Sequence, residues 1–95
     1  MAGRTFQQRL QACQRGGNLT VSDLARWFGR SAATARSWVK DGRQPSGGLI
    51  DVTHAHELLG LLEMLIRKKK GFPVPRLPPS ERIEHLAHIR KSVLP

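Results

Sequence analysis

Residues 21–40 read VSDLARWFGRSAATARSWVK, and this stretch decides the fold. Gly29 divides it into two short segments whose apolar residues recur at helical spacing. Thr20 stands before the first segment as an N-cap, with Asp23 placed as the acid of a capping box. Ser31 offers an N-cap for the second segment. The stretch therefore predicts two helices joined by a tight turn at Gly29.

The spacing within this stretch is typical of a helix-turn-helix. Two helices that cross steeply over a short turn need a small residue at their closest approach, a glycine in the turn and apolar inner faces. Ala25 is the small residue, four positions before Gly29. Four residues supply the inner faces: Leu24, Phe28, Ala35 and Trp38. We therefore predict a helix-turn-helix that spans residues 21–40.

In this pattern the chain resembles the helix-turn-helix families of phage and bacterial regulators, including the lambda-repressor-like group. The following loop is also similar, because Trp38 is followed by Gly42 and Pro45, a Trp…Gly…Pro ending common in that group. The chain departs from the pattern at Arg30, where a buried aliphatic is usual, and at Ala35, which is smaller than the usual valine or isoleucine. The resemblance implies a lambda-repressor-like or related all-α fold that binds DNA.

The second helix has one face that is suited to reading DNA. With Ala35 and Trp38 turned inward, small residues lie at the front of the outward face, which would let the helix enter the major groove. Arg36 on this face can form a bidentate pair with guanine. Ser31 and the open amide groups beside it suit a phosphate. The residues predicted to contact DNA are Arg30, Ser31, Ala32, Ala33, Arg36, Ser37, Lys40 and Arg43.

The charge balance favours a polyanionic partner. The chain of 95 residues holds 16 Lys and Arg against 7 Asp and Glu, a net charge of +9. The excess is concentrated in residues 1–47, which hold eight basic and two acidic side chains. Such a field attracts nucleic acid or an anionic surface. We expect several of the following to contact phosphates: Arg4, Arg9, Arg26, Arg30, Lys40 and Arg43.

Three further helices are predicted outside the motif. The first runs from Thr5 to Gln14 and is ended by Gly16-Gly17-Asn18. Another begins at about Asp51 or Thr53 and runs to Lys70, before Gly71. The last is capped by Ser80 and has a narrow apolar face formed by Ile83, Leu86, Ala87 and Val93.

The segment between the last two helices contains four prolines within residues 71–79 and favours an extended path. The predicted fold is therefore all-α, with four to five helices and a central helix-turn-helix. Its parts are a DNA-binding domain with a leucine-rich helix over 1–70, a proline-rich linker over 71–79 and a C-terminal helix over 80–95.

The leucine-rich helix is apolar almost all round in its middle, whereas a surface helix needs only one apolar stripe. One interpretation is a homodimer or higher homo-oligomer. In a two-fold dimer a second copy would cover the surplus, and the last helix would reach across to it. The alternative is that the last helix folds back and covers the surplus within one chain. The residues expected between copies are Leu58, Leu61, Leu62, Leu65 and Ile66.

Motifs for chemistry are missing from the sequence. It has no Gly-rich phosphate loop, nucleophile motif or paired acid set, so we predict no enzyme activity, no cofactor and no small-molecule substrate. Its single cysteine, Cys13, excludes a disulfide framework and a Cys-rich zinc site. His54 and His56 would face different directions on a helix. His85 and His88 are better spaced for a metal, but solvated histidines are the more usual reading.

The first residues lack an apolar signal core, and no apolar run reaches membrane-spanning length. We therefore expect a cytoplasmic protein of a bacterial or phage-infected cell, with no membrane partner.

Taken together, these patterns predict sequence-specific binding of double-stranded DNA, with a small transcriptional regulator as the preferred role. Phage DNA packaging, excision and replication initiation use the same motif and stay open. A protein-interaction module that uses the leucine-rich helix is a second alternative. RNA binding is less favoured, since no sheet for stacking RNA bases is visible.

Overall fold

The computed structural model describes residues 3–45, 51–74 and 76–93, and only the backbone of Pro79, Ser80 and Ile83. Over these ranges the chain forms helices and no strand. The helices are α1 (Phe6–Gly17), α2 (Val21–Phe28), α3 (Ala32–Lys40), α4 (Val52–Arg67) and α5 (Pro79–Val93). The predicted all-α fold of four to five helices is confirmed.

One hydrophobic core joins the helices. The α2 and α3 helices pack on each other, α1 lies against α3 and α4, and α5 packs on α4. At the centre, Phe28 meets Trp38 edge-on at a centroid distance of 5.2 Å, and Phe6 meets each of these rings at 6.1 Å. Such tilted and edge-on contacts are the favoured geometry of aromatic pairs. They fix the inner face of α3 against both α1 and α2.

Side-chain caps start α2 and α3 at the predicted residues. Thr20 and Asp23 form the predicted capping box, because each side chain accepts the other residue's backbone N–H at 3.1 Å. Ser31 Oγ accepts the backbone N–H of Thr34 at 3.2 Å. These bonds satisfy amide groups that a helix start leaves open. The starts of α2 and α3 are therefore determined locally by the sequence.

Three helices end in a Schellman-type turn at a left-handed residue, and only one of these three residues is glycine. The residues are Asn18, Gly29 and Lys69, with φ of 56°, 71° and 55°. In each case the next residue's N–H bonds back to a carbonyl five positions earlier, as in a Schellman motif.

Two predicted helix ends are corrected as a result. Helix α1 includes Gly16 and Gly17 and turns at Asn18. Helix α4 ends at Arg67 rather than Lys70, and Lys69 takes the turn rather than Gly71.

The start and the apolar face of α5 also differ from the prediction. The helix begins at Pro79, so Ser80 lies inside it and is not its cap. Proline suits a first helical position because no intrahelical acceptor awaits its missing N–H. Leu86 and Val93 are buried as predicted, but Ala87 is exposed and Ile89 takes its place in the core. The side chain of Ile83 is not among those described, so its predicted place on the apolar face is not tested. The predicted helix beyond residue 93 also lies outside the described residues.

The leucines predicted to meet a second copy lie inside the single chain. The side chains of Leu58, Leu61, Leu62 and Leu65 are between 0% and 4% exposed. Helix α5 folds back onto α4, which was the alternative, and the other sides of α4 face α1 and α2. Ile66 is half-buried against Gly16 and Gly17. The four leucines therefore have packing partners within one chain, and an interface between copies through this helix stays a prediction.

The described residues leave little exposed apolar surface for any other large interface. Among the described residues, Val52 is the one large apolar side chain that is exposed, at 38%. A dimer through another surface stays a prediction. No helix within the described ranges is long and apolar enough to span a membrane.

Candidate nucleic-acid interface

Helix α3 presents the predicted polar face. Its inner residues Ala35 and Trp38 are 1% and 4% exposed, so the opposite side must face outward. The exposed residues there are Ser31, Ala33, Arg36 and Lys40, and Ala32 and Ser37 are half-buried beside them. The face is basic, since Asp41 is the only acid between Asp23 and Asp51 in the chain.

The turn that carries α3 is built around Gly29. Its N–H bonds to the carbonyl of Arg26 at 3.2 Å, and the N–H of Arg30 bonds to the carbonyl of Ala25 at 2.8 Å. The left-handed φ of 71° at Gly29 is costly for other residues. The predicted glycine turn is confirmed, and it leaves Ser31 directly positioned to start α3.

A polar pocket of about 280 Å³ opens beside α3. It brings together three of the predicted contact residues, Arg30, Ser37 and Arg43. Sequence reasoning missed Thr34 and Gln44, which also line it. Thr34 lies one helical turn before Ser37, so the same face of the helical wheel could have revealed it. The pocket has two guanidinium groups and several hydroxyl and amide groups, a donor set that suits a phosphate oxygen.

The far end of α3 is held by two glutamines of α1. Gln7 Nε2 donates to the carbonyls of Val39 and Lys40 at 3.0 and 3.1 Å, and Gln11 Nε2 donates to Val39 at 2.9 Å. The last carbonyls of a helix have no intrahelical donor. These bonds therefore satisfy the end of α3 and fix its orientation relative to α1. Sequence reasoning did not identify either glutamine.

Arg9 is engaged elsewhere and does not join this face. Its guanidinium donates through two nitrogens to the carboxylate of Glu63 on α4, and its Nη1 lies 3.1 Å from Nδ1 of His56. The hydrogen bond with Glu63 raises the pKa of Arg9. The prediction that Arg9 contacts phosphate is not supported, because a partly buried ion pair already holds its donors. Of the other proposed phosphate contacts, Arg30 is half-buried, and the remaining four are exposed: Arg4, Arg26, Lys40 and Arg43.

Helix α5 adds a guanidinium that sequence reasoning missed. Arg82 reaches the α2–α3 turn, where burial first and the positive charge of Arg30 second lower its pKa. A β-carbon placed on Gly29 would lie 2.2 Å from Nη1 of Arg82. No local signal could have indicated this contact, because it depends on how α5 folds back.

Three of the remaining candidate residues have structural roles: His54, His56 and Cys13. His54 pairs with its own N-cap Asp51 at 3.2 Å, and His56 lies edge-on to Phe6 at 5.2 Å. Cys13 is a buried free thiol. In the ranges that the structure describes, no three metal-ligating side chains come together.

Comparisons with known proteins give no further guide to the site. No family model, curated protein or solved structure matches the chain.

Proposed function

We propose that the protein binds double-stranded DNA in a sequence-specific manner, with α3 in the major groove, and that it acts as a small transcriptional regulator. The observation that carries the proposal is the exposed face of α3. Small residues at its front, Ser31 and Ala33, would let the backbone approach the base edges. Arg36 then follows at the position from which a guanidinium can reach guanine.

The rigid support of α3 favours a helix that recognises DNA bases over a basic surface with no binding role. Two aromatic rings hold its inner side, the Gly29 turn holds its start and two glutamines hold its end. A helix that reads bases must keep its side chains in register with them, and this framework supplies that order.

The phosphate contacts would come from the same side of the protein. Arg30 and Arg43 line the pocket beside α3, and Lys40 is exposed at its end. Contacts of this kind position a protein on the duplex, whereas base contacts specify the site. Arg36 is therefore the residue on which selectivity should depend, and the others should affect all sequences alike.

The test is selection of bound duplexes from a random-sequence pool, followed by affinity measurements with Arg36→Ala. We expect an enriched site, and a loss of about 1–3 kcal/mol on that site with relaxed preference at one base pair. Arg90→Ala is the matched control, because it removes an exposed arginine from α5. Equal selectivity for both variants would contradict the proposed placement of Arg36 against the base pairs. A palindromic site would in addition indicate two copies on the DNA.

A further inference from the structure

The last helix contacts the α2–α3 turn through one guanidinium. The atoms Nη1, Cζ and Nη2 of Arg82 would all lie 2.2–2.3 Å from a β-carbon on Gly29. Contact this close is possible only because residue 29 has no side chain. Arg82 therefore lies on the backbone of the turn and not in solvent beside it.

Among the described residues, Arg82 has no ion-pair partner. Its Nε and Nη1 are enclosed and make no hydrogen bond within the described part of the chain. The ion pairs found there join other residues, Arg9 with Glu63 and His54 with Asp51. A guanidinium that has lost hydration beside a like charge is in an unfavourable state. An anion at Nη2, the nitrogen of Arg82 that is not enclosed, would supply acceptor oxygens and offset the like charge.

The position of the cluster indicates which anion fits. Arg30 immediately precedes Ser31, the N-cap of α3, so the two arginines lie at the start of the candidate reading helix. The positive end of a helix dipole also favours an anion there. Phosphate suits two neighbouring arginines, because the guanidinium fork matches its oxygens.

We propose that Arg82 and Arg30 together bind one backbone phosphate of the DNA, so that the C-terminal helix is part of the interface. This inference rests on the proposed function for the identity of the ligand. It adds a contact from a segment that lies about forty residues beyond α3 and outside the helix-turn-helix. The phosphate would accept hydrogen bonds from Arg82 and balance its charge against that of Arg30.

The test compares Arg82→Gln with Lys91→Gln in binding a fluorescent random-sequence duplex over a range of salt concentrations. Both variants remove one positive charge from α5, but Lys91 is exposed and lies about 180° around the helix from Arg82. We expect Arg82→Gln to weaken binding roughly fivefold to tenfold and to reduce the salt slope by about one. Lys91→Gln should stay within about twofold of the wild type.

The outcomes separate this inference from the proposed function. Equal affinity and salt slope for the two variants would overturn the inference while leaving DNA binding intact. Arg82→Lys keeps the positive charge but lacks the guanidinium fork, so its affinity for DNA should fall between those of the wild type and Arg82→Gln. Because lysine is the conservative replacement, this variant guards against a loss of affinity that is caused only by unfolding of Arg82→Gln.

If the wild type shows no affinity for DNA, the proposed function fails and inorganic phosphate decides the inference. Phosphate-dependent shifts of the Gly29 and Arg30 amide resonances that disappear in Arg82→Gln would support a phosphate site. Identical spectra with and without phosphate would overturn it.

Discussion

The guanidinium of Arg82 lies directly against Gly29, so closely that a β-carbon at residue 29 would lie 2.2 Å from Nη1. This contact joins the C-terminal helix to the turn that sets the start of α3. Gly29 therefore has two reasons to be glycine: its left-handed φ of 71° and the guanidinium packed on it.

Gly29→Ala should destabilise the protein by about 1–2 kcal/mol, because an alanine disfavours the left-handed conformation. The guanidinium can move away from the new methyl, so the backbone conformation accounts for most of the cost. Urea unfolding measures the change. Gly60→Ala is the control, since Gly60 lies inside α4 with no neighbour in the way of a methyl group, and it should gain about 0.5–1 kcal/mol. A change of the same sign in the free energy of unfolding of both variants would contradict this account.

Lys69→Gly should raise the free energy of unfolding by about 1 kcal/mol, because Lys69 has a φ of 55° that glycine adopts without penalty. Lys68→Gly is the matched control, since Lys68 has a φ of −87°. That control removes the same charge and should leave the protein no more stable than the wild type. Thermal unfolding of the two variants decides the matter, and a lower melting temperature for Lys69→Gly than for Lys68→Gly would count against the left-handed turn.

Cys13 should react with a thiol reagent only when the chain opens. Burial raises the pKa of its thiol to about 12, and the thiolate is the reactive form. The native protein should therefore be modified slowly by Ellman's reagent, and denaturant should bring the rate to that of a free thiol. The thiol of Cys13 has a higher pKa in the folded chain than in the unfolded chain. The stability that comes from keeping this thiol protonated is therefore present below about pH 9 and is lost as the pH rises toward 12. Rapid modification of the native protein would argue against a buried thiol.

Arg9→Gln should weaken folding but leave selectivity for DNA unchanged. Its guanidinium is paired with Glu63 on α4, and removal of the charge leaves a half-buried carboxylate without its partner. Partial exposure limits the cost to about 1 kcal/mol. Arg36→Gln is the comparison, because it removes an exposed charge from α3 and should affect binding without affecting folding. Loss of selectivity in Arg9→Gln at a temperature where it is fully folded would place Arg9 in the interface after all.

Local sequence signals predict the helix-turn-helix at the centre of the fold. They do not predict the contacts between segments that are distant in the chain. Ser31, Thr20 and Gly29 have roles set by their immediate neighbours, and their caps and turn were predicted correctly. Lys69 adopts a left-handed conformation that its own side chain disfavours, so the packing around α4 must determine it. Arg82 and the two glutamines of α1 act through contacts with residues far away in the chain, which no local pattern reveals.

The leucines of α4 illustrate the same limit. Their number predicts surplus apolar surface, but the proline-rich segment does not determine whether α5 or a second copy covers it. Once Leu86, Ile89 and Val93 lie on α4, the surface is occupied within one chain. The exposed face of α3 was easier to predict, since the positions of Ala35 and Trp38 determine it through helical geometry alone.

Binding of duplex DNA as a function of salt concentration tests the central claim most directly. If several of Arg4, Arg26, Arg30, Lys40 and Arg43 neutralise phosphates, the logarithm of the association constant should fall linearly with the logarithm of the salt concentration. We predict a slope of about −3 to −5, as expected for roughly four to five phosphate contacts. No binding at low salt, or an affinity that does not change with salt, would contradict the claim that this protein binds DNA through α3.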